Sequence, residues 1–172
     1  KECEAGGRVF RTQSDTEVIL HLFDQMGEAA LNKLNGRFAL AVWNSNTQEL
    51  FLARDPMGIK PLYFAHEEGT LVFASEMKSL YLSGLVSLEF DPPALYDYFS
   101  YRFAPSPHTV LKSVKKVPPG SFLRFHQGRL ECSLYQVWPK PVLDDRPYER
   151  LQKDLEFLLE EAVRSQMVSD VP

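Results

Sequence analysis

"RFALAVWNSNTQELFLARDPMGIKPLYFA", residues 37–65, decides the fold. Two short apolar segments, "RFALAVW" and "LFLAR", flank the polar "NSNTQE", and a strand pair joined by a turn is the simplest reading. "PLYFA" and "TLVFAS" repeat the device around "HEEG", with Gly69 at the turn. All four segments are nearly continuous in apolar residues, which predicts a sheet covered on both faces. Arg54, Asp55 and Lys60 crowd in directly after the second strand. Charges beside a core strand mean either a satisfied ion-pair network or the edge of a site.

Upstream, "SDTEVILHLFDQMG" is the clearest helix start. Ser14 and Glu17 have the S-x-x-E spacing of a capping box, in which each side chain satisfies an orphan amide near the other. Val18, Ile19, Leu22, Phe23 and Met26 then recur on one face, and Gly27 ends the helix. A second short helix, "EAALNKL", stops at Asn35-Gly36. Downstream, "SEMKSLYLSG" predicts a helix after the strands, so helices both precede and follow them. A layered α+β domain results. Pro92 suits a first helical turn, and "ALYDYFSYRF" carries aromatics at near-helical spacing, read as core. "KSVKK" at 112–116 reads as a solvated charge run, and a last hairpin closes at Gln127-Gly128.

"YQVWPKPVLDDRP" holds three prolines and no periodicity, which is linker composition and sets a boundary near residue 140. "PYERLQKDLEFLLEEAVRSQM" follows as an amphipathic helix with Leu151, Leu155, Leu158, Ala162 and Val163 along one stripe. Such a stripe must be buried against something, and "VSDVP" cannot supply a core. The chain therefore reads as cut at both ends. An unburied stripe and an open sheet edge predict association, a homodimer being one form of it.

Over 172 residues the apolar fraction is 44% and the charged fraction 24%, a globular composition. A net charge of −4 gives no general attraction for phosphate backbones, so nucleic acid is not an expected partner. No apolar run approaches the roughly 20 residues that span a bilayer, so neither is a membrane. Cys3 and Cys132 are far apart and form no metal or disulfide pattern, which fits a reducing compartment and a cytoplasmic protein. His21, His66, His108 and His126 show no i, i+4 pairing, so no metal site is expected.

With these pieces in order, "SDTEVILHL" (14–22), "LNGRFALAVW" (34–43), "LFLARDPMGIKPLYF" (50–64), "FASEMKSL" (73–80), "VPPGSFL" (117–123) and "SQMVSDVP" (165–172) follow one another as in the glutamine-hydrolysing asparagine synthetase family. The chain resembles that family over most of its length. The resemblance implies an N-terminal-nucleophile hydrolase fold, an αββα sandwich that is incomplete here, then a linker and the first helix of an ATP-pyrophosphatase domain. Residues 1–138 would be the carboxy-terminal portion of a class II glutamine amidotransferase domain, 139–146 the linker, and 147–172 the start of the synthetase domain.

The implied parent hydrolyses glutamine to ammonia and uses ATP, with magnesium, to amidate aspartate to asparagine. Its partners would be glutamine, aspartate and ATP. The family's nucleophilic cysteine, with an arginine and an Asn-Gly pair that hold the substrate, would lie before residue 1, and its S-G-G-x-D-S phosphate loop beyond residue 172. The segment alone is then expected to be inactive, with no ATP or metal site of its own. Cys3 is not followed by the family's Gly-Ile type sequence and reads as an ordinary free cysteine.

Asp15 matches the family's aspartate that binds the α-amino group of glutamine. Read from the residues alone, an acid near a helix N-terminus is already favoured by the helix dipole and needs no ligand. "ARDP-x-G-IKPLY" reads as a turn fixed by a buried or half-buried polar network of Arg54, Asp55 and Lys60, with Gly58 in a strained position and Pro56 and Pro61 as stiffeners. Two alternatives stay open. One is a related amide- or lactam-forming synthetase with a degenerate glutaminase domain, and the other is a stand-alone, non-catalytic interaction module.

Overall fold

The computed structural model describes residues 9–12 and 14–167. In chain order the elements are α1 (Asp15–Met26), a 3₁₀ helix (Gly27–Lys33), β1 (Ala39–Asn44), β2 (Glu49–Arg54), β3 (Tyr63–Glu67), β4 (Thr70–Ala74), α2 (Met77–Leu82), α3 (Pro92–Tyr101), β5 (Lys115–Lys116), β6 (Ser121–His126), β7 (Arg129–Leu134) and α4 (Tyr148–Gln166). The chain divides into two units, residues 1–137 and 138–172.

The two hairpins read from residues 37–74 form, but they enter different sheets. β1 and β2 join β6 and β7 in a four-stranded antiparallel sheet of order β1-β2-β6-β7. β3 lies between β4 and β5 in a three-stranded sheet. A single sheet covered on both faces is therefore corrected to two sheets, with a shared core between them. That core is Leu52, Leu62, Val117 and Leu123, packed by Phe64, Leu71 and Leu130. Burying each large aliphatic side chain is worth about 1.5–3 kcal/mol, which is why β2 carries the uninterrupted apolar run Leu50–Ala53 and β6 places Phe122 and Leu123 side by side.

The tight turns follow backbone chemistry. Glu68-Gly69 and Gln127-Gly128 each connect their strands in two residues with φ positive at both positions, the twist that suits adjacent strands. The two tips approach one another at Gly69 and Gly128, and His66 Nε2 reaches the Gly128 carbonyl oxygen at 3.0 Å.

Helical layers cover the outer faces. Leu31, Ala53 and Phe122 form a second core with Phe23 of α1 and Phe51. Ala65, Leu80, Val86, Leu111 and Val114 form a third beneath α2. The segment expected as a second short α-helix is the 3₁₀ helix, and it buries Ala30 and Leu31. Val18 and Met26, expected on the packed face of α1, are exposed, whereas Ile19, Leu22 and Phe23 are half-buried.

Two other expectations are corrected. α3 forms with Asp91 as its N-cap and proline in its first turn, but its aromatics are not core: Tyr96 is 74% and Phe99 81% exposed. Only Ala94 of that helix is buried. "KSVKK" is not a free charge run either. Lys115 and Lys116 pair with β3, Lys112 bonds Glu89, and half-buried Lys116 donates from Nζ to the Ala104 carbonyl. Burial, with the Arg54 charge as a second cause, pushes the Lys116 ammonium below its ordinary range.

In the second unit, α4 forms as expected, and Leu155, Leu158 and Val163 of its stripe are exposed. Its N-cap, Pro147, offers no side-chain hydrogen bond. Arg146 donates instead to Asp144 and, from Nη1, to Asp154 Oδ2 at 2.5 Å, tying the approach segment to the first turns. Among the described residues, no helix is long and apolar enough to cross a membrane.

Candidate functional site

A cleft of about 630 Å³ opens beside α1 and β1. Ile19, Leu20, Phe38, Leu40, Val42 and Pro61 give it an apolar lining, and Asp15, Arg37, Lys60 and Ser75 add polar groups. Asp15 is placed there because Ser14, in an extended conformation, ends the incoming chain and starts the helix. Ser14 Oγ accepts from Thr16 N at 3.2 Å. Among the described residues, the exposed Asp15 carboxylate accepts only from the hydroxyls of Ser14 (3.5 Å) and Thr16 (3.4 Å) on its Oδ1. No cation among the described residues lies within ion-pair distance of it. A carboxylate with spare acceptor capacity beside an apolar cleft suits an ammonium ligand.

The reciprocal capping box expected from Ser14 and Glu17 does not form. Glu17 passes over the N-cap amide and accepts from Arg11 N (2.9 Å), Thr12 N (2.7 Å) and Thr12 Oγ1 (2.5 Å). The physical reason is that residues 11–12 fold back over the helix start and offer three donors, whereas the Ser14 amide donates to Thr12 Oγ1 at 3.3 Å.

The second wall of the cleft comes from the turn after β2. Asp55, 1% exposed, receives Met57 N (3.1 Å) and Ile59 N (3.0 Å) on Oδ1 and Lys60 N (3.0 Å) on Oδ2. Arg54, 9% exposed, donates from Nε to Lys60 O (2.8 Å), from Nη2 to Gly58 O (2.6 Å) and from Nη1 to Val117 O (2.9 Å). Each charge thus answers the opposite end of backbone dipoles, and six hydrogen bonds to backbone hold the turn. Lys60 joins this network only through its backbone, so its side chain is not part of the expected buried group; it lies on the cleft wall.

Gly58 takes φ +64°, and a Cβ there would fall 2.8 Å from Pro119 Cγ and 3.2 Å from Arg54 Cζ. Only glycine combines that backbone with that approach. Tyr135 completes the turn by donating its hydroxyl to Arg54 O at 2.8 Å. Burial, and secondarily the Asp55 charge, pushes its phenol up to about 12. Arg37 lies inside "LNGRFALAVW" and Ser75 inside "FASEMKSL", though neither motif marks them for a site, Tyr135 lies in no such motif, and the walls of the cleft are contributed by segments far apart in sequence.

The remaining candidates do not converge. Cys132 is an exposed free thiol, and Cys3 lies outside the described residues. Among the described residues, no three His, Cys, Asp or Glu side chains come together as a metal site would need.

A family model for the glutamine amidotransferase domain matches residues 1–136. The chain belongs to that family. Asparagine synthetase [glutamine-hydrolyzing] 1 of Bacillus subtilis is 41% identical over 174 residues, which take in 100% of this chain and 27% of that protein. A putative asparagine synthetase [glutamine-hydrolyzing] of Mycobacterium tuberculosis is 35% identical over 173 residues, covering 96% of this chain and 26% of that protein. The chain thus spans about a quarter of the length of these curated relatives. Among solved structures, the glutamine phosphoribosylpyrophosphate amidotransferase of B. subtilis superposes with a TM-score of 0.56 at 24% identity, over 78% of this chain and 25% of that one. That likeness shows the fold, an α+β arrangement of antiparallel sheets and helices.

The amidotransferase match takes in both walls of the cleft, Asp15 on α1 and Lys60 and Pro61 of the turn after β2 alike. All of the four-stranded sheet and all of the three-stranded sheet fall within it.

Proposed function

We propose that residues 1–138 are the carboxy-terminal portion of a class II glutaminase domain of a cytoplasmic, glutamine-dependent asparagine synthetase. Residues 139–146 form the linker and 147–172 the first helix of the synthetase domain. The succession of helix, four-stranded sheet, three-stranded sheet and helix supports an incomplete N-terminal-nucleophile αββα sandwich. Relatives named as asparagine synthetases, aligned along the whole of this chain, favour that parent.

The observation that carries the reading is Asp15, which no cation among the described residues pairs, at the rim of an apolar-lined cleft. Its carboxylate would hold the α-ammonium of glutamine. The apolar wall from Phe38 to Val42 would accept the methylene chain and limit water. A charge-assisted hydrogen bond at such a site is worth about 1.5–3 kcal/mol. ATP and magnesium belong to the synthetase half of the parent, and no residue of this chain is assigned to them.

The test is asparagine formation by the full-length protein that carries this chain, supplied with aspartate, ATP and either glutamine or ammonium. The reading expects product with both nitrogen sources and loss of only the glutamine-dependent rate in Asp15→Ala. Ammonia-dependent synthesis without any glutamine-dependent rate in the wild type would reject a working glutaminase and favour a degenerate first domain.

A further inference from the structure

Asp15 reaches its cleft from a helix start that is held by a side chain two positions away. Glu17 has a side chain 17% exposed and is absent from the cleft wall. Its Oε1 accepts from Arg11 N, and its Oε2 accepts from both the amide and the hydroxyl of Thr12. Thr12 Oγ1 in turn accepts from Ser14 N, and Ser14 Oγ accepts from Thr16 N. The chain of contacts therefore runs from Glu17 through Thr12 to the two residues that flank Asp15. The geometry exceeds what a helix cap requires, since capping needs only one acceptor for an orphan amide.

We propose that Glu17 is a positioning residue of the glutamine site. It ties residues 11–12 down across the first turn of α1 and so fixes the direction in which Asp15 presents its carboxylate. This rests on the reading of the cleft given above. Glu17 does not touch the ligand; it acts through the Arg11 amide and the Thr12 amide and hydroxyl that it clamps. The clamp is a charged one: the Thr12 hydroxyl first, and the Arg11 amide after it, hold the Glu17 carboxyl down to about 2. It stays ionised throughout the neutral range in which a glutaminase is assayed.

The experiment is steady-state glutamine hydrolysis by the full-length protein, comparing Glu17→Ala, Glu17→Gln, Thr12→Val, Gln25→Gly and Asp15→Asn with wild type. Glu17→Ala is expected to raise KM for glutamine about tenfold while leaving kcat within about twofold, because ligand orientation is loosened and the reacting groups are untouched. Glu17→Gln keeps one acceptor oxygen and should recover part of that loss, and Thr12→Val should raise KM in the same direction. Gln25→Gly weakens the exposed far end of the same helix without touching the clamp and should leave KM unchanged.

An unchanged KM in both Glu17→Ala and Thr12→Val overturns the proposal. So does a rise in Gln25→Gly equal to that in Glu17→Ala, since helix stability alone would then explain it. Should Glu17→Ala fail to fold, Glu17→Gln and Thr12→Val decide the matter by the same criterion. Asp15→Asn separates the two levels. An unaltered KM there overturns the reading of the cleft and this proposal together, whereas an Asp15 effect without a Glu17 or Thr12 effect overturns this proposal alone.

Discussion

Arg54 with Asp55, in the turn after β2, and Arg146 with Asp144 and Asp154, at the start of α4, are built from the same two side-chain types beside a proline. Their settings differ. Arg54 and Asp55 are 9% and 1% exposed, while the side chains of Arg146 and Asp154 are each 48% exposed. The buried pair directs its hydrogen bonds to backbone, three from Arg54 to carbonyls and three to Asp55 from amides. The exposed cluster bonds to itself, with Arg146 forked onto Asp144 at 2.7–3.0 Å. Composition does not separate a structural core from a surface tether; burial and the identity of the partner do.

The sharpest way to break the comparison is to remove one charge from each cluster. Asp55→Ala strands three backbone amides inside the turn, and should cost about 3 kcal/mol or more, read as a shift in the denaturant midpoint at constant slope. A loss below about 1 kcal/mol would mean that water replaces the carboxylate.

Gly58→Ala comes next. It forces a left-handed backbone on alanine and drives its Cβ against Pro119, with an expected cost of about 2 kcal/mol or more in the same assay. Tyr135→Phe removes one hydrogen bond to Arg54 O and should cost about 1 kcal/mol. In the unaltered protein the Tyr135 phenol, held up to about 12, should resist ionisation in an absorbance titration until the exposed tyrosines have titrated.

Arg146→Ala is expected to have the smallest effect: no measurable change in the midpoint of the first unit and a return of Asp144 to the ordinary carboxylate range. Hydrogen bonds from Arg146 hold the Asp144 carboxyl down to about 2, against an ordinary 3.8. A depressed carboxylate pKa contributes above the ordinary value and is lost as pH falls through the folded one. The tether is therefore complete above about pH 4 and released near pH 2, which carboxylate chemical shifts would follow. High salt should weaken it at neutral pH, whereas the Arg54–Asp55 turn should be indifferent to salt.

The buried turn was readable in outline, because an Arg-Asp pair ahead of Pro-x-Gly at the end of an apolar run leaves few physical uses for the charges. The role of Lys60 was not. A lysine that contributes only its amide and carbonyl looks the same in sequence as one that contributes its ammonium. The strands of both hairpins were legible from apolar runs between turn residues, but their division between two sheets was not. That division depends on β2 pairing with β6, some seventy residues onward.

At the site, Asp15 is marked by its motif alone. The cleft beside it is drawn from α1, β1, the turn at Lys60 and Ser75, so no local pattern encodes it. The Ser14–Glu17 spacing pointed to a box that the fold replaces with a longer reach, because residues 11–12 offered better donors. The aromatics of α3 repeat at helical spacing, and that spacing does not tell an outward face from a core one.

The measurement that tests the central claim most directly is a crystal structure of the full-length protein with L-glutamate, the hydrolysis product, bound. The account predicts the α-ammonium nitrogen within about 3 Å of an Asp15 carboxylate oxygen, with the ligand's methylene chain against the wall from Phe38 to Val42. Glutamate bound elsewhere, with Asp15 facing solvent, would contradict it.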